Sequence, residues 1–299
     1  MDVLKILGAV LLSGSLALAQ TSSAGAANDV DSLRAAAATS PDDPELHFRL
    51  GDALEKSGAF GGAEAEYKKS LALQANNPKA LGALAYLYAS QRRFPEAETA
   101  LRSYTALDPK NAKAYVQLGS VLLLSDKRDD ASREFSVALR LAPSQPDILK
   151  QIAQLYASHE MYQQAESLYA NLTSISPADP DGHYGHGIVL LQLKNFPPAQ
   201  AELQQAVSLR PDLKEAYGDL AVAAFENKDY AAAIQALDAR SRFLPESAAT
   251  YFLRATSYDH LKQFTPAADN YRKFLAADAG KNPNQEWQAR HRLVAIEKK

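Results

Sequence analysis

Residues 112–145 read AKAYVQLGSVLLLSDKRDDASREFSVALRLAPSQ. Tyr115, Leu118, Gly119 and Leu122 fall at the three- and four-residue spacing of one helix face, and Ala131, Phe135, Ala138 and Leu139 repeat that spacing in the second half. The stretch is therefore predicted to be a helical hairpin. An isolated antiparallel pair leaves half of each apolar face in water, so neighbours must cover it.

Shifting the frame by thirty-four residues in either direction returns the same pattern, with units starting at Pro44, Pro78, Ala112, Pro146, Pro180, Lys214 and Ala248. The eighth position holds Gly51, Ala85, Gly119, Ala153, Gly187, Ala221 or Ala255, and the twentieth holds Ala63, Ala97, Ala131, Ala165, Ala199, Ala233 or Ala267. Small residues at these two places let the helices of a hairpin approach closely; a larger side chain would overpack the contact at a cost of about 1–3 kcal/mol. Six units place an aromatic at position seventeen: Phe60, Phe94, Tyr162, Phe196, Tyr230 and Phe264. Pro109, Pro143, Pro177, Pro211 and Pro245 all occupy position thirty-two, where a helix must stop.

This pattern resembles the tetratricopeptide repeat family, whose unit carries an aromatic at four, Leu-Gly at seven and eight, Ala at twenty, an aromatic at twenty-four, Ala at twenty-seven and Pro at thirty-two. The resemblance implies an all-α, right-handed superhelical solenoid of seven tandem repeats at 44–77, 78–111, 112–145, 146–179, 180–213, 214–247 and 248–281. Leu33, Ala36, Ala37 and Pro41 fit the second half of the same frame, so 29–43 is expected to be a capping half-repeat. Residues 282–299 are expected to form a terminal capping helix, with Trp287 and Val294 on its apolar face and Trp287 packed on the last hairpin.

Residues 1–19 differ in character. Lys5 precedes an apolar run that closes on Ala17-Leu18-Ala19, the layout of a secretory signal peptide cleaved after Ala19. The run is too short to span a bilayer comfortably, so no stable membrane insertion is expected after cleavage. The chain has no cysteine, which removes disulfides and a lipid-bearing cysteine from consideration. Residues 20–28, QTSSAGAAN, offer nothing to bury and are expected to be a mobile leader. The remaining chain should be periplasmic or secreted. Net charge is −3 from 32 basic and 35 acidic residues, so there is no overall pull toward nucleic acid.

Nucleophile elbows, phosphate-binding glycine loops and dinucleotide fingerprints are missing from the sequence, and no catalytic residue or cofactor is expected. His183 and His186, three apart on one helix, have the spacing of metal ligands, which keeps a metal-dependent enzyme or accessory subunit as an alternative. They also stand at packing positions four and seven, and His47 already replaces the aromatic at position four. The run from His159 to Gln163 starts like a zinc-protease motif but has glutamine in place of the second histidine and falls in a turn. Asn171-Leu172-Thr173 is a formal glycosylation acceptor placed on a helix.

The family resemblance further implies that positions two, five, six, nine, twelve and thirteen of each first helix line a concave groove for an extended peptide or partner helix. Those positions supply the candidate partner-binding residues Phe48, Lys79, Tyr86, Lys113, Gln117, Lys150, Gln154, Tyr184, Phe225 and Phe252. The aromatics are the expected anchors and the lysines the expected counter-charges for an acidic segment. The asparagine-lysine clamp of chaperone-binding members is not matched, since the ninth positions are Asp52, Tyr86, Ser120, Gln154, Ile188, Val222 and Thr256. A homo-oligomer formed through the terminal helix is a further alternative.

Overall fold

The computed structural model describes residues 23–297. The expected signal peptide at 1–19 lies outside them. The described residues form helices only, in two compact units that meet at His159 and Glu160. The first unit contains α1 (Ser23–Thr39), α2 (Pro44–Lys56), α3 (Phe60–Leu73), α4 (Pro78–Ser90), α5 (Phe94–Leu107), α6 (Ala112–Leu124), α7 (Arg128–Leu141) and α8 (Pro146–Ser158). The second contains α9 (Tyr162–Ile175), α10 (Pro180–Gln192), α11 (Phe196–Leu209), α12 (Lys214–Glu226), α13 (Tyr230–Ser241), α14 (Ala248–His260), α15 (Phe264–Asp278) and α16 (Pro283–Glu297).

Within each unit the helices pair into hairpins, and each hairpin packs on the next. In the first unit α2/α3, α4/α5 and α6/α7 are the hairpins, bounded by α1 and α8; in the second, α10/α11, α12/α13 and α14/α15 lie between α9 and α16. First helices also touch first helices, α2 with α4, α6 with α8, α10 with α12 and α12 with α14. The fold is an all-α repeat solenoid.

Local chemistry explains where the elements begin and end. Asp43, Asn77, Asn111 and Asp179 accept hydrogen bonds from backbone N–H groups in the first turns of α2, α4, α6 and α10. Proline opens α2, α4, α8 and α10, where its missing N–H costs nothing. Ser247 and Thr250 form a reciprocal capping box at α14. Helix α1 starts at Ser23, inside the stretch expected to be a leader; Ala24, Ala26 and Ala27 there favour a helix, against the opposing preference of Gly25.

Every hairpin turn repeats one backbone bend. Gly58, Arg92, Asp126, Glu160, Lys194, Lys228 and Lys262, thirty-four residues apart, all have φ between 57° and 81°. At six of them the next residue donates its N–H to a carbonyl five residues back: Ala59 to Leu54, Arg93 to Tyr88 and Asp229 to Ala224 at 2.8 Å, and Lys127 to Leu122, Asn195 to Leu190 and Gln263 to Tyr258 at 2.9 Å. This is the six-to-one closure of a left-handed helix terminus. Only one of the seven residues is glycine, although the conformation favours it.

The core follows the small-residue positions. Ala63, Ala97, Ala131, Ala165, Ala199, Ala233 and Ala267 are all fully buried. At three units the facing position is glycine because an aromatic or leucine sits against it: a Cβ on Gly119 would lie 2.4 Å from the Phe135 ring.

Trp287 does not pack on the last hairpin. It is 61% exposed, as is 53% of Val294, while Ala289, Ile296 and Leu293 face inward against α14 and α15. The helix turned its narrower aliphatic stripe to the core, and the Trp287 ring lies tilted by 31° against His291, 4.1 Å away and one turn along the same helix.

Candidate functional site

First helices carry the candidate side chains. In the first unit, Phe48 on α2 is half-buried with its ring 5.9 Å from Tyr67 of α3. Lys79 on α4 reaches back to it, its Nζ 6.0 Å above the Phe48 ring and 3.9 Å from the Glu45 carboxylate. Lys79 is thus already shared between an aromatic face and an acid of the neighbouring helix, an exposed pairing worth a fraction of a kcal/mol. Tyr86 is half-buried; burial raises its hydroxyl above the usual range, and Glu55 adds to the shift. The Glu55 carboxyl is itself raised by burial, although the Tyr67 hydroxyl donates to it at 2.8 Å. Lys113 is exposed, and Gln117, Lys150 and Gln154 are half-buried on α6 and α8.

The second unit is built differently. The Tyr184 hydroxyl on α10 donates to Asp219 Oδ2 on α12 at 3.0 Å, tying consecutive first helices together. Burial raises the Tyr184 hydroxyl, and the Asp219 charge raises it further. Phe225 lies edge-on to Tyr230 at 5.5 Å and to His260 at 6.0 Å, with His260 stacked on Tyr230 at 4.3 Å. Phe252 packs against Phe274 at 5.0 Å. With Tyr271, Asp259, His260 and Arg292, among others, it lines a pocket of about 420 Å³. Arg292 of the terminal helix holds Asp259 through two 2.6 Å bonds, a bidentate geometry that fixes α16 against α14.

The structure therefore places Phe48, Lys79 and Tyr86 with Lys113, Gln117, Lys150 and Gln154 in the first unit, and Tyr184, Phe225 and Phe252 in the second. All five aromatics are half-buried, leaving part of each ring in water. Sequence reasoning missed the Tyr184–Asp219 and Asp259–Arg292 ties. Both join residues about one period apart, and that offset is the signal that could have found them.

His183 serves the packing. Its Nδ1 lies 2.6 Å from Glu202 Oε2 and its Nε2 3.0 Å from the Pro177 carbonyl. His47 makes the same pair of contacts with Glu66 and Pro41, at 2.6 and 2.9 Å. In both units the imidazole links its hairpin partner to the end of the preceding unit, the task an aromatic performs elsewhere by bulk. His186 is buried against Tyr169, 6.4 Å between rings, with Glu202 3.4 Å from Nδ1 and Glu166 3.8 Å from Nε2. Burial alone would raise the Glu202 carboxyl, but the neighbouring imidazoles of His186 and His183 leave it below the usual range. Among the described residues, no group of three or more His, Cys, Asp or Glu side chains is placed to hold a metal ion. His159 ends α8 with Nδ1 2.9 Å from the Leu155 carbonyl, and Glu160 sits in a left-handed turn, so that run lacks the helix a zinc-protease motif needs. Arg254, at a position where leucine is usual, is buried and paired with Glu246 at 2.7 Å and Asp238 at 3.2 Å. No helix of the described residues is long and apolar enough to cross a membrane.

Comparison with known proteins gives a consistent set of likenesses. A tetratricopeptide repeat model matches residues 54–120, and a second tetratricopeptide repeat model matches residues 11–78 and 184–241. The chain is similar to BBSome complex member BBS4 of Bos taurus, 25% identical over 177 residues that cover 59% of this chain and 34% of that protein. It is also similar to the type IV pilus assembly protein PilF of Pseudomonas aeruginosa, 28% identical over 139 residues that cover 46% of this chain and 55% of that protein. The chain thus spans about a third and about half of these relatives' lengths. Among solved structures, the C-terminal part of a TPR repeat-containing protein from Cytophaga hutchinsonii superposes with a TM-score of 0.62 at 17% identity, covering 78% of this chain and 95% of that one.

Proposed function

Because the chain belongs to the tetratricopeptide repeat family, we propose that it is a non-enzymatic scaffold. It takes up a peptide or partner helix on the inner faces of its first helices. The observation that carries this reading is the row of half-buried aromatics on consecutive first helices, Phe48 and Tyr86 in one unit and Tyr184, Phe225 and Phe252 in the other. Phe48, Tyr184, Phe225 and Phe252 are each held by neighbours of their own unit, so little side-chain freedom is lost when a partner covers the rest. Lys79, Lys113, Gln117, Lys150 and Gln154 supply hydrogen-bonding groups on the same helices of the first unit. Residues 1–19 act as a signal peptide, and the protein works in the periplasm or outside the cell.

Site-specific photocrosslinking tests the assignment. A crosslinking residue at Tyr86 or Phe225 should trap one protein that the same residue at Lys68 or Gln204, on second helices, does not. Capture from Lys68 and Gln204 alone would refute the inner-face reading. Export is read by fractionation and by sequencing the mature N-terminus, expected at Gln20.

A second reading rests on Trp287 and Val294, whose exposure leaves an apolar stripe on the last helix. Self-association through it predicts a concentration-dependent mass in light scattering that Trp287→Ala with Val294→Asp abolishes. A monomeric mass in the unaltered protein would exclude it.

A further inference from the structure

We propose that the inner face of the second unit recognises a cationic amphipathic segment, with lysine or arginine alternating with aliphatic residues. The proposal rests on the inner-face reading above and adds the chemistry of what binds there. Val222, 42% exposed, stands one turn along α12 from Asp219, with Glu226 one turn further. Ile188 and Leu191 on α10 and Phe225 on α12 complete an apolar floor and are all half-buried.

The charge left on this face has one sign. Asp219 accepts a hydrogen bond from Tyr184, and none of the described cations pairs with it. The cations nearby are engaged elsewhere: Arg240, whose side chain lies beside Gly218, donates to the Pro245 carbonyl, while Arg210 pairs with Asp181, Arg254 with Glu246 and Asp238, and Arg292 with Asp259. Lys214 Nζ lies 4.0 Å from the Glu215 carboxylate, a loose exposed pairing. Burial raises the Asp219 carboxyl; the Tyr184 bond opposes that shift, and Glu215 adds to it. A half-buried anion whose neighbour carries the same sign is stabilised by an incoming ammonium or guanidinium group and further destabilised by a carboxylate or phosphate. Charge complementarity therefore selects a basic partner segment, and Val222 with Phe225 selects an aliphatic side chain beside the cation. An acidic segment, the expectation attached to the lysines of the first unit, would meet repulsion here.

Three fluorescein-labelled ten-residue peptides, alternating leucine with lysine, serine or glutamate, test this by anisotropy with the full chain. The lysine peptide should bind about tenfold more tightly than the serine peptide and the glutamate peptide most weakly, with the preference shrinking as salt is raised. Asp219→Asn, which keeps an acceptor for Tyr184, and separately Glu226→Gln, should each lower lysine-peptide affinity while leaving the serine peptide unchanged. Val222→Asp should weaken the serine peptide. If Val222→Asp weakens binding but the three peptides bind alike, the charge inference falls and the inner-face reading stands. If Val222→Asp and Phe225→Ala change nothing, or no peptide binds, both fall.

Discussion

Replacing Gly119 by alanine should destabilise the first unit by about 1–2 kcal/mol, even though alanine is the better helix former by about 1 kcal/mol. The added Cβ would lie 2.4, 2.7 and 2.8 Å from Cε1, Cδ1 and Cζ of Phe135, where carbon atoms normally rest about 3.5–4.0 Å apart. One partner must move by about 1 Å. Phe135 has no free side to move to, being fully buried and packed edge-on to Tyr156 at 5.2 Å. Overpacking of this kind costs about 1–3 kcal/mol, and the blocked ring places the site in the upper half of that range before the propensity gain is deducted. Phe135→Leu should ease the clash, because alanine and leucine are buried together at these two positions as Ala221 and Leu237, but only in part, since at Gly187 a Cβ would still lie 2.6 Å from Leu203 Cγ. The double variant should then be more stable than the sum of the singles by about 1 kcal/mol. Repeat arrays unfold in segments, so amide hydrogen exchange in α6 and α7, referenced to α14 and α15, is the appropriate measurement. Ala255 and Tyr271, buried together at the equivalent pair of positions, show that a hairpin can be built wider. If Gly119→Ala instead increases protection of α6, the first unit can widen likewise and the close-approach account is wrong.

His183→Ala should cost about 2–3 kcal/mol by leaving the Glu202 carboxylate and the Pro177 carbonyl without their partner, measured by urea midpoint. Zinc should not raise the melting temperature of the unaltered protein, whereas a stoichiometric rise lost in His186→Ala would restore the metal reading. Glu64 is held down to about 2, first by hydrogen bonds from Arg93 and then from Lys68, against an ordinary value of 4.5. A depressed folded value stabilises the fold above the ordinary value and stops doing so as pH falls through the lower one. Glu64→Gln should therefore flatten the decline in melting temperature between about pH 4.5 and 2. Lys228→Gly should stabilise by about 0.5–1 kcal/mol because φ there is 63°, and Gly58→Ala should cost a similar amount by thermal denaturation.

The solenoid was legible because its determinants recur. A small residue is demanded wherever two helices of a hairpin approach, and buried Ala63, Ala131 and Ala199 announce that demand at a fixed interval. What recurs in conformation without recurring in composition was invisible: six of the seven left-handed turn residues are charged, and glycine marks the bend only at Gly58. The rotation of α16 was misjudged for another reason. Its two stripes, Trp287 with Val294 and Ala289 with Leu293 and Ile296, are nearly balanced in apolar content, and only the shape of the surface beneath decides between them. The candidate aromatics could be placed on first helices by their position in the repeat. The net charge a partner meets could not be read that way, because Lys79 with Glu45 and Arg292 with Asp259 cancel across neighbouring helices.

The shared bend makes the chain divisible. Position thirty-four holds Asn77 and Asn111, each capping the helix that follows, so excising residues 78–111 would rejoin Asn77 to Ala112 and recreate the Asn111–Ala112 junction. Glu64, now bound to Arg93, would meet Lys127, which currently plays that part for Glu98. Length can thus change in whole periods without any new joint having to be invented, and gene duplication or loss could tune the reach of such a molecule one hairpin at a time.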